Sequence, residues 1–148
     1  MMGRRAFGLA GLSAIGLAAM EGSLFAKEGG DAGHDDMTCA KACSDCQRMC
    51  DLCATHCAHL LAEGKKDHLT TLATCRDCAD LCAVAAQIVA RGGPFAALIC
   101  RACADACAGC AKECEKFPDD AHMKTCAAEC RKCEKACRTM LEHAGHAH

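Results

Sequence analysis

Cysteine spacing constrains this chain more than any other feature. Within four blocks, cysteines recur at alternating intervals of three and four residues, which is the spacing of the core-facing side of an α-helix. Leu and Ile normally occupy such positions, so the pattern predicts helices that direct columns of thiols toward one another. The blocks are Cys39, Cys43, Cys46, Cys50, Cys53 and Cys57; Cys75, Cys78 and Cys82; Cys100, Cys103, Cys107, Cys110 and Cys114; and Cys126, Cys130, Cys133 and Cys137.

Composition narrows the class of protein. The 148 residues suffice for one domain and a targeting segment. A near balance of 17 Lys and Arg against 19 Asp and Glu, without Trp or Tyr, argues against nucleic-acid binding. From residue 27 onward, Leu, Ile, Val, Phe and Met together number 18, as many as the cysteines. Because a thiol is a small apolar group, we expect a core that is weakly stable when empty and stiffens when a ligand bridges its thiols.

Residues 1–26 are predicted to be a twin-arginine export signal. Arg4 and Arg5 precede a mildly hydrophobic Gly/Ala/Leu run that ends near Ala19. The run is too short for a membrane span, which needs about 20 apolar residues. We expect cleavage after Ala26, although Leu24 departs from the usual small residue three positions before the cut. The mature protein is then expected in the periplasm, with no stable membrane anchor.

Turn residues divide the remaining chain into four helices, which predicts an all-α protein. Short connections between them favour an antiparallel up-down-up-down four-helix bundle with a cysteine-lined core, over residues 36–144. A polar, Gly-rich disordered leader is predicted at 27–35 and a His-containing tail at 145–148. The first helix is predicted to run from Asp36 to Ala62, the second from an N-cap at Asp67 to Arg91, the third from Pro94 at its first position to Lys116, and the fourth from an N-cap at Asp119 to about Ala144.

This topology gives the bundle two different ends. One end is predicted to be apolar and closed, since it gathers 84–89, 95–99, Met140 and Leu141. The other end is rich in ligands for soft metal ions, and metal is expected to enter there. Met123 and Met140 also suit ordinary core packing, and His68 also suits a solvated helix end. The candidate residues of the metal entrance are His56, His59, His68, His122 and Met123.

Disulfide bonds and redox chemistry are two alternatives. An even cysteine count in an exported protein commonly means disulfides, but disulfide frameworks usually hold together loop-rich folds. A thiol-rich redox buffer would need a few exposed thiols of low pKa, whereas helical spacing predicts many buried ones. No residue is singled out as a nucleophile among so many equivalent cysteines, so we expect no enzymatic activity.

Metal binding offers three further interpretations. Tetrahedral zinc sites would use about four dications, and about ten negative charges would then remain if every thiol were ionised. Iron–sulfur clusters are disfavoured because their characteristic cysteine runs are absent. Cu(I) prefers thiolate and thioether ligands, and one ion for each thiolate leaves the core near neutral. Multiple Cu(I) ions are therefore the favoured cofactors.

The third and fourth cysteine blocks, with the Cys-x-Lys-Phe-Pro segment at 114–118, resemble the bacterial copper storage proteins. The resemblance covers about residues 36–141. It implies a four-helix bundle that holds many Cu(I) ions without catalysis and forms a homo-oligomer, commonly a tetramer. Copper donor or acceptor proteins are the expected partners. It also implies metal uptake at the end lined by His and Met. Because helix two has only three cysteines, the apolar end is expected to hold fewer ions.

Overall fold

Four α-helices form the protein, as the sequence predicts. The computed structural model describes the backbone of residues 30–145 and the side chains of residues 33–143. The predicted signal peptide, residues 27–29 and residues 146–148 lie outside this range. Within it there is no β-strand, and no helix is both long and apolar enough to cross a membrane. The helices are α1 (Gly30–Ala62), α2 (Leu69–Ala90), α3 (Ala96–Cys114) and α4 (Ala121–Gly145), with a short 3-10 helix at Lys66–His68.

The order of the helices around the bundle follows the chain. α1 packs against α2, α2 against α3, α3 against α4, and α4 returns to α1. Because the connections are short, neighbouring helices are antiparallel, whereas α1 and α3 run parallel across the centre. The predicted up-down-up-down bundle is confirmed.

Glycines end α1 and α2. Gly64 and Gly92 have φ values of 88° and 60°, in the left-handed region that favours glycine. After α1, the N–H groups of Gly64 and Lys65 donate to the carbonyls of Leu61 and Leu60 at 2.9 and 3.0 Å. The same pair of bonds follows α2, where Gly92 and Gly93 donate to the carbonyls of residues 89 and 88. Both ends are therefore Schellman caps, which satisfy the last carbonyls of each helix.

The structure corrects the predicted starts of α1 and α2. α1 begins at Gly30, so residues 30–35 of the predicted leader are helical. An ion pair between Asp35 Oδ2 and His143 Nδ1, 2.6 Å apart, ties the start of α1 to the last turns of α4. Asp67 does not cap α2: it lies in the 3-10 helix, and the N-cap residue is His68, whose side chain makes no capping bond. The turn after Gly64 continues to His68, whose N–H donates to the carbonyl of Lys65 at 3.3 Å.

The boundaries of α3 and α4 also differ from the prediction. α3 begins at Ala96, because a bond from its N–H to the carbonyl of Gly93 places Pro94 in a turn. α3 ends at Cys114, where the N–H of Phe117 bonds the Cys114 carbonyl and a proline follows. The cap of α4 is Asp120 and not Asp119.

The core consists mainly of cysteine. All eighteen cysteines are buried, and none is more than 1% exposed. Alanines and a few larger side chains, including Leu60, Val89, Met123 and Met140, complete the buried set. Helical periodicity turns every thiol inward, as expected for the a and d positions of a bundle.

Candidate metal centre

Sulfur atoms form a continuous column along the bundle axis. The stripes of α1 and α3 face each other across the centre, with sulfur atoms 3.8 to 3.9 Å apart at each step. Because these helices are parallel, their cysteines advance together along the column. The facing pairs are Cys39–Cys100, Cys43–Cys103, Cys46–Cys107 and Cys50–Cys110.

Cysteines of α2 and α4 close this column on both sides. From α2, the sulfur of Cys82 lies 3.5 Å from that of Cys103, and Cys75 lies 3.6 Å from Cys110. From α4, the sulfur of Cys130 lies 3.6 Å from that of Cys50. Sulfur atoms from three or four helices therefore meet at each level, close enough to bind one ion together.

Several sets of four thiols have all their sulfur atoms within 4.8 Å of one another. The sets overlap, since Cys46, Cys50, Cys78, Cys126 and Cys130 each belong to two of them. Shared members suit a metal that accepts bridging thiolates. The sets include Cys43, Cys103, Cys133 and Cys137; Cys46, Cys78, Cys82 and Cys107; Cys46, Cys50, Cys78 and Cys130; Cys50, Cys110, Cys126 and Cys130; and Cys53, Cys75, Cys114 and Cys126.

The thiols are not oxidised to disulfides in the structure. All eighteen are free. Their contacts across the core are 3.5 to 4.0 Å long, far beyond the disulfide bond length of about 2.05 Å. The bundle therefore holds its shape through helix packing, without covalent cross-links.

Burial and contacts with neighbouring thiols raise the pKa of Cys107 and of Cys57. Hydrogen bonds with Cys103 and Cys133, together with burial, raise the pKa of Cys107. Near the His-rich end, burial and the neighbouring Cys53 raise the pKa of Cys57 to about 12. These groups are neutral thiols at neutral pH, so a metal ion that binds their thiolate form must displace a proton.

Metal loading is therefore expected to release protons. At a pH below the pKa of a thiol, each proton that the metal ion displaces makes the apparent affinity for the metal rise about tenfold per pH unit. For Cys57 this dependence extends up to its pKa of about 12. A weakly buffered solution with a pH indicator, titrated anaerobically, should acidify in proportion to the metal added until the thiols are saturated. Loading without acidification would show that the thiols are already ionised.

The His- and Met-containing end brings together three of the predicted residues. Met123 is fully buried, and its Sδ lies 3.5 Å from the Sγ of Cys53. The rings of His56 and His122 stack with centroids 4.4 Å apart and planes inclined by 19°. His56 is half-buried and its Nε2 donates to Asp120 Oδ2 at 2.7 Å. The thioether of Met123 thus adjoins the last thiols of the column, and the two stacked imidazoles lie at the same end.

The other two predicted entrance residues have different surroundings. His68 is buried, stacks on the ring of Phe117 with centroids 4.1 Å apart, and leaves its Nδ1 without a hydrogen-bond partner. His59 is exposed on the surface of α1. Asp120 was not among the residues predicted for the entrance. Its position two residues before His122 and three before Met123 was the available signal, but Asp119 fits the cap pattern equally well.

The opposite end has fewer thiols. The sulfur of Cys39 lies 3.8 Å from that of Cys100 and 3.7 Å from that of Cys137. On α2, Ala85 and Val89 are buried where the cysteine pattern stops. Val89 and Met140 are buried at this end, whereas Phe95 and Leu98 are 65% and 68% exposed and do not contribute to closing it. These side chains point away from the core, which is already filled by smaller groups.

Comparison with known proteins places this arrangement in a family. The family model for copper storage proteins matches residues 33–142. A search of curated proteins finds no match.

Similar solved structures include a cytosolic copper storage protein from Streptomyces lividans with five coppers. It is 28% identical, with a TM-score of 0.69 over 75% of this chain and 95% of that one. A Cu(I)-bound copper storage protein is 37% identical, with a TM-score of 0.65 over 72% and 98%. The apo form of copper storage protein 3 from Bacillus subtilis is also 37% identical, with a TM-score of 0.61 over 70% and 96%. With its four-helix fold and buried thiol column, this chain belongs to the copper storage protein family.

Proposed function

We propose that this protein stores Cu(I) inside its helical bundle and thereby contributes to copper homeostasis and detoxification. The observation that carries the proposal is the column of eighteen buried, free thiols arranged in overlapping sets. Similar structures have been solved with five coppers and with ten copper equivalents. All eighteen cysteines are the proposed ligands.

Shared thiols favour Cu(I) over zinc. A structural zinc site normally takes four thiolates of its own, so zinc in every overlapping set would have to share its ligands. Cu(I) accepts two or three sulfur ligands, and one thiolate can bridge two ions. Monovalent ions in a ratio of about one per thiolate also leave the buried core near neutral, whereas excess thiolate charge would be costly there.

Anaerobic titration of the reduced protein with Cu(I) tests this proposal. Sulfur-to-copper charge-transfer absorbance is expected to increase linearly to more than about ten ions per chain, since each thiol offers roughly one binding equivalent. The chain has neither Trp nor Tyr, so little native absorbance overlaps the signal. Saturation at about four ions would instead favour zinc-like tetrathiolate sites. A thiol assay on the apo-protein measures how many cysteines are free.

Copper is proposed to enter at the end that carries His56, His122 and Met123. Met123 places a thioether beside Cys53, and the stacked imidazoles of His56 and His122 lie at the same end, whereas His143 at the opposite end is half exposed and paired with Asp35. His68 is a further proposed ligand, because its buried Nδ1 has no hydrogen-bond partner. Because His59 is exposed on the surface, it is proposed only to make a first contact with incoming copper.

The storage role is proposed to be non-catalytic and oligomeric. The buried thiols offer no exposed nucleophile of the kind a redox enzyme uses. Six large apolar side chains of the described residues are exposed and would be available to bury in a homo-oligomer, with a tetramer as the expected form: Met37, Leu52, Leu69, Val84, Phe95 and Leu98. Copper donor and acceptor proteins are the proposed partners. Light scattering of the mature protein measures the oligomeric state, and a monomer would contradict the assembly.

Export is proposed to follow the twin-arginine route. The support is Arg4-Arg5 before a mildly hydrophobic run at the start of the sequence. The Streptomyces lividans relative is described as cytosolic, so export of this chain would give it a different location from that relative. Fractionation of cells that express the full chain should place the cleaved protein in the periplasm, and Arg4→Lys/Arg5→Lys should retain it in the cytoplasm. Equal distribution of both forms would contradict the proposal.

A further inference from the structure

The two carboxylate oxygens of Asp120 accept hydrogen bonds from two different helices. Oδ1 accepts hydrogen bonds from the backbone N–H groups of His122 at 2.8 Å and Met123 at 3.2 Å, which caps α4. Oδ2 accepts the 2.7 Å bond from Nε2 of His56 on α1. One side chain therefore fixes both the beginning of the helix that carries Met123 and the orientation of the His56 ring.

The contact with Asp120 also determines which nitrogen of His56 is free. An ionised carboxylate only accepts hydrogen bonds, so the Nε2 of His56 carries the proton. The lone pair of the neutral ring is then on Nδ1. The side chains of both residues are less than one quarter exposed, and the stacked ring of His122 restrains the imidazole from another side. Metal-binding histidines are commonly held by a carboxylate in this way.

The Asp120–His56 pair adjoins the buried thiols. Cys57 follows His56 directly and is fully buried. Burial and neighbouring thiols raise the pKa of Cys57, and the negative charge of Asp120 adds to that rise. Across the bundle end, Met123 lies against Cys53. The half-buried imidazole therefore lies at the same end of the bundle as the buried sulfur ligands of Cys53 and Met123.

We propose that Asp120 is the positioning residue of the copper entrance. It holds His56 so that Nδ1 is the ligand atom offered to incoming Cu(I), while its cap places Met123 beside the first thiols. This inference rests on the proposed storage function. It assigns to Asp120 an effect on the rate of copper uptake, with no part in the thiolate sites that set the capacity.

The substitution Asp120→Asn separates the two contacts. Asn caps a helix about as well as Asp, and the two backbone N–H donors keep its amide oxygen in the cap. The amide nitrogen then faces His56 and donates to Nε2, which moves the ring proton to Nδ1. The helix start is kept, but the proposed ligand atom is blocked.

Uptake is measured by stopped flow, with apo-protein mixed anaerobically with Cu(I) held by a weak chromophoric chelator. Asp120→Asn is expected to lower the initial rate about tenfold or more, as for other carboxylates behind a metal-binding histidine. Asp119→Asn removes the same charge from the adjacent exposed residue and is expected to load at the wild-type rate. Two-bond proton–nitrogen NMR spectra should show the Nε2–H tautomer of His56 in the wild type and Nδ1–H in Asp120→Asn.

A double substitution tests whether Asp120 acts through His56. In a His56→Ala background, Asp120→Asn should cause no further loss of rate, because the group it positions is already absent. Wild-type loading rates for Asp120→Asn, or an equal slowing in both backgrounds, would overturn the inference. The final copper content is recorded in the same experiments. A wild-type protein that binds only a few ions would instead contradict the storage function itself.

Discussion

Copper loading is expected to raise the unfolding temperature of the apo-protein by tens of degrees. The empty core consists mostly of thiols and alanines, which are smaller than the Leu and Ile of an ordinary bundle and stabilise it less. An ion held at a free concentration one thousandfold above its Kd adds about 4.1 kcal/mol, so two such ions add about 8 kcal/mol. For a domain of this size, about 1 kcal/mol shifts Tm by about 4 °C. Circular dichroism at the helix band, recorded anaerobically with and without Cu(I), measures the shift.

Removal of the metal provides the control for this stabilisation. A strong Cu(I) chelator should return the unfolding temperature to that of the apo-protein, since nothing covalent holds the bundle together. Metal bound to thiols of the unfolded chain reduces the shift but does not reverse its sign. An unfolding temperature that does not change after full loading would mean that copper binds outside the core.

The second large effect concerns thiols in the middle of the column. Cys46 and Cys130 lie 3.7 Å apart at their sulfur atoms, and each belongs to two of the four-thiol sets. The double substitution Cys46→Ala/Cys130→Ala is therefore expected to remove more than about two Cu(I) ions, because each lost thiolate would bridge two ions. The smaller side chains should also lower the free energy of unfolding of the apo-protein by about 1 kcal/mol each.

A matched pair at the thin end controls for the number of thiols removed. Cys39 and Cys100 face each other at 3.8 Å, near the end where α2 contributes Ala85 and Val89 in place of cysteine. Cys39→Ala/Cys100→Ala is expected to remove about two ions, one per thiolate. Copper analysis after gel filtration of saturated protein gives both numbers. Equal losses from the two variants would show that position in the column does not matter.

The thiol column could be predicted from sequence because it depends on helical period alone. Alternating steps of three and four residues place every cysteine on the same face of its helix, whatever the details of the turns. The four-helix topology followed from short connections, and Gly64 and Gly92 marked helix ends correctly because their left-handed conformations disfavour other residues.

The surroundings of the entrance could not be predicted in the same way. Asp119 and Asp120 are equivalent candidates for a cap in the sequence, and the turn bond from the Asp120 N–H to the Phe117 carbonyl decides between them. His56 and His59 lie one turn apart on α1, yet only His56 is within reach of Asp120, because contact depends on where α4 begins. His68 is buried because a 3-10 helix precedes α2, and this feature has no clear signal in the residues.

Overlap among the four-thiol sets has a consequence for how metal moves inside the bundle. Between Cys82 and Cys53, each four-thiol set shares sulfur atoms with the next. An ion anywhere between these two residues would therefore have sulfur neighbours. An ion can therefore advance by exchanging one ligand at a time, and it never needs to regain a shell of water. We therefore expect the interior to pass ions from one thiol set to the next as well as to hold them, and we expect the rate of filling or emptying to depend on the entrance.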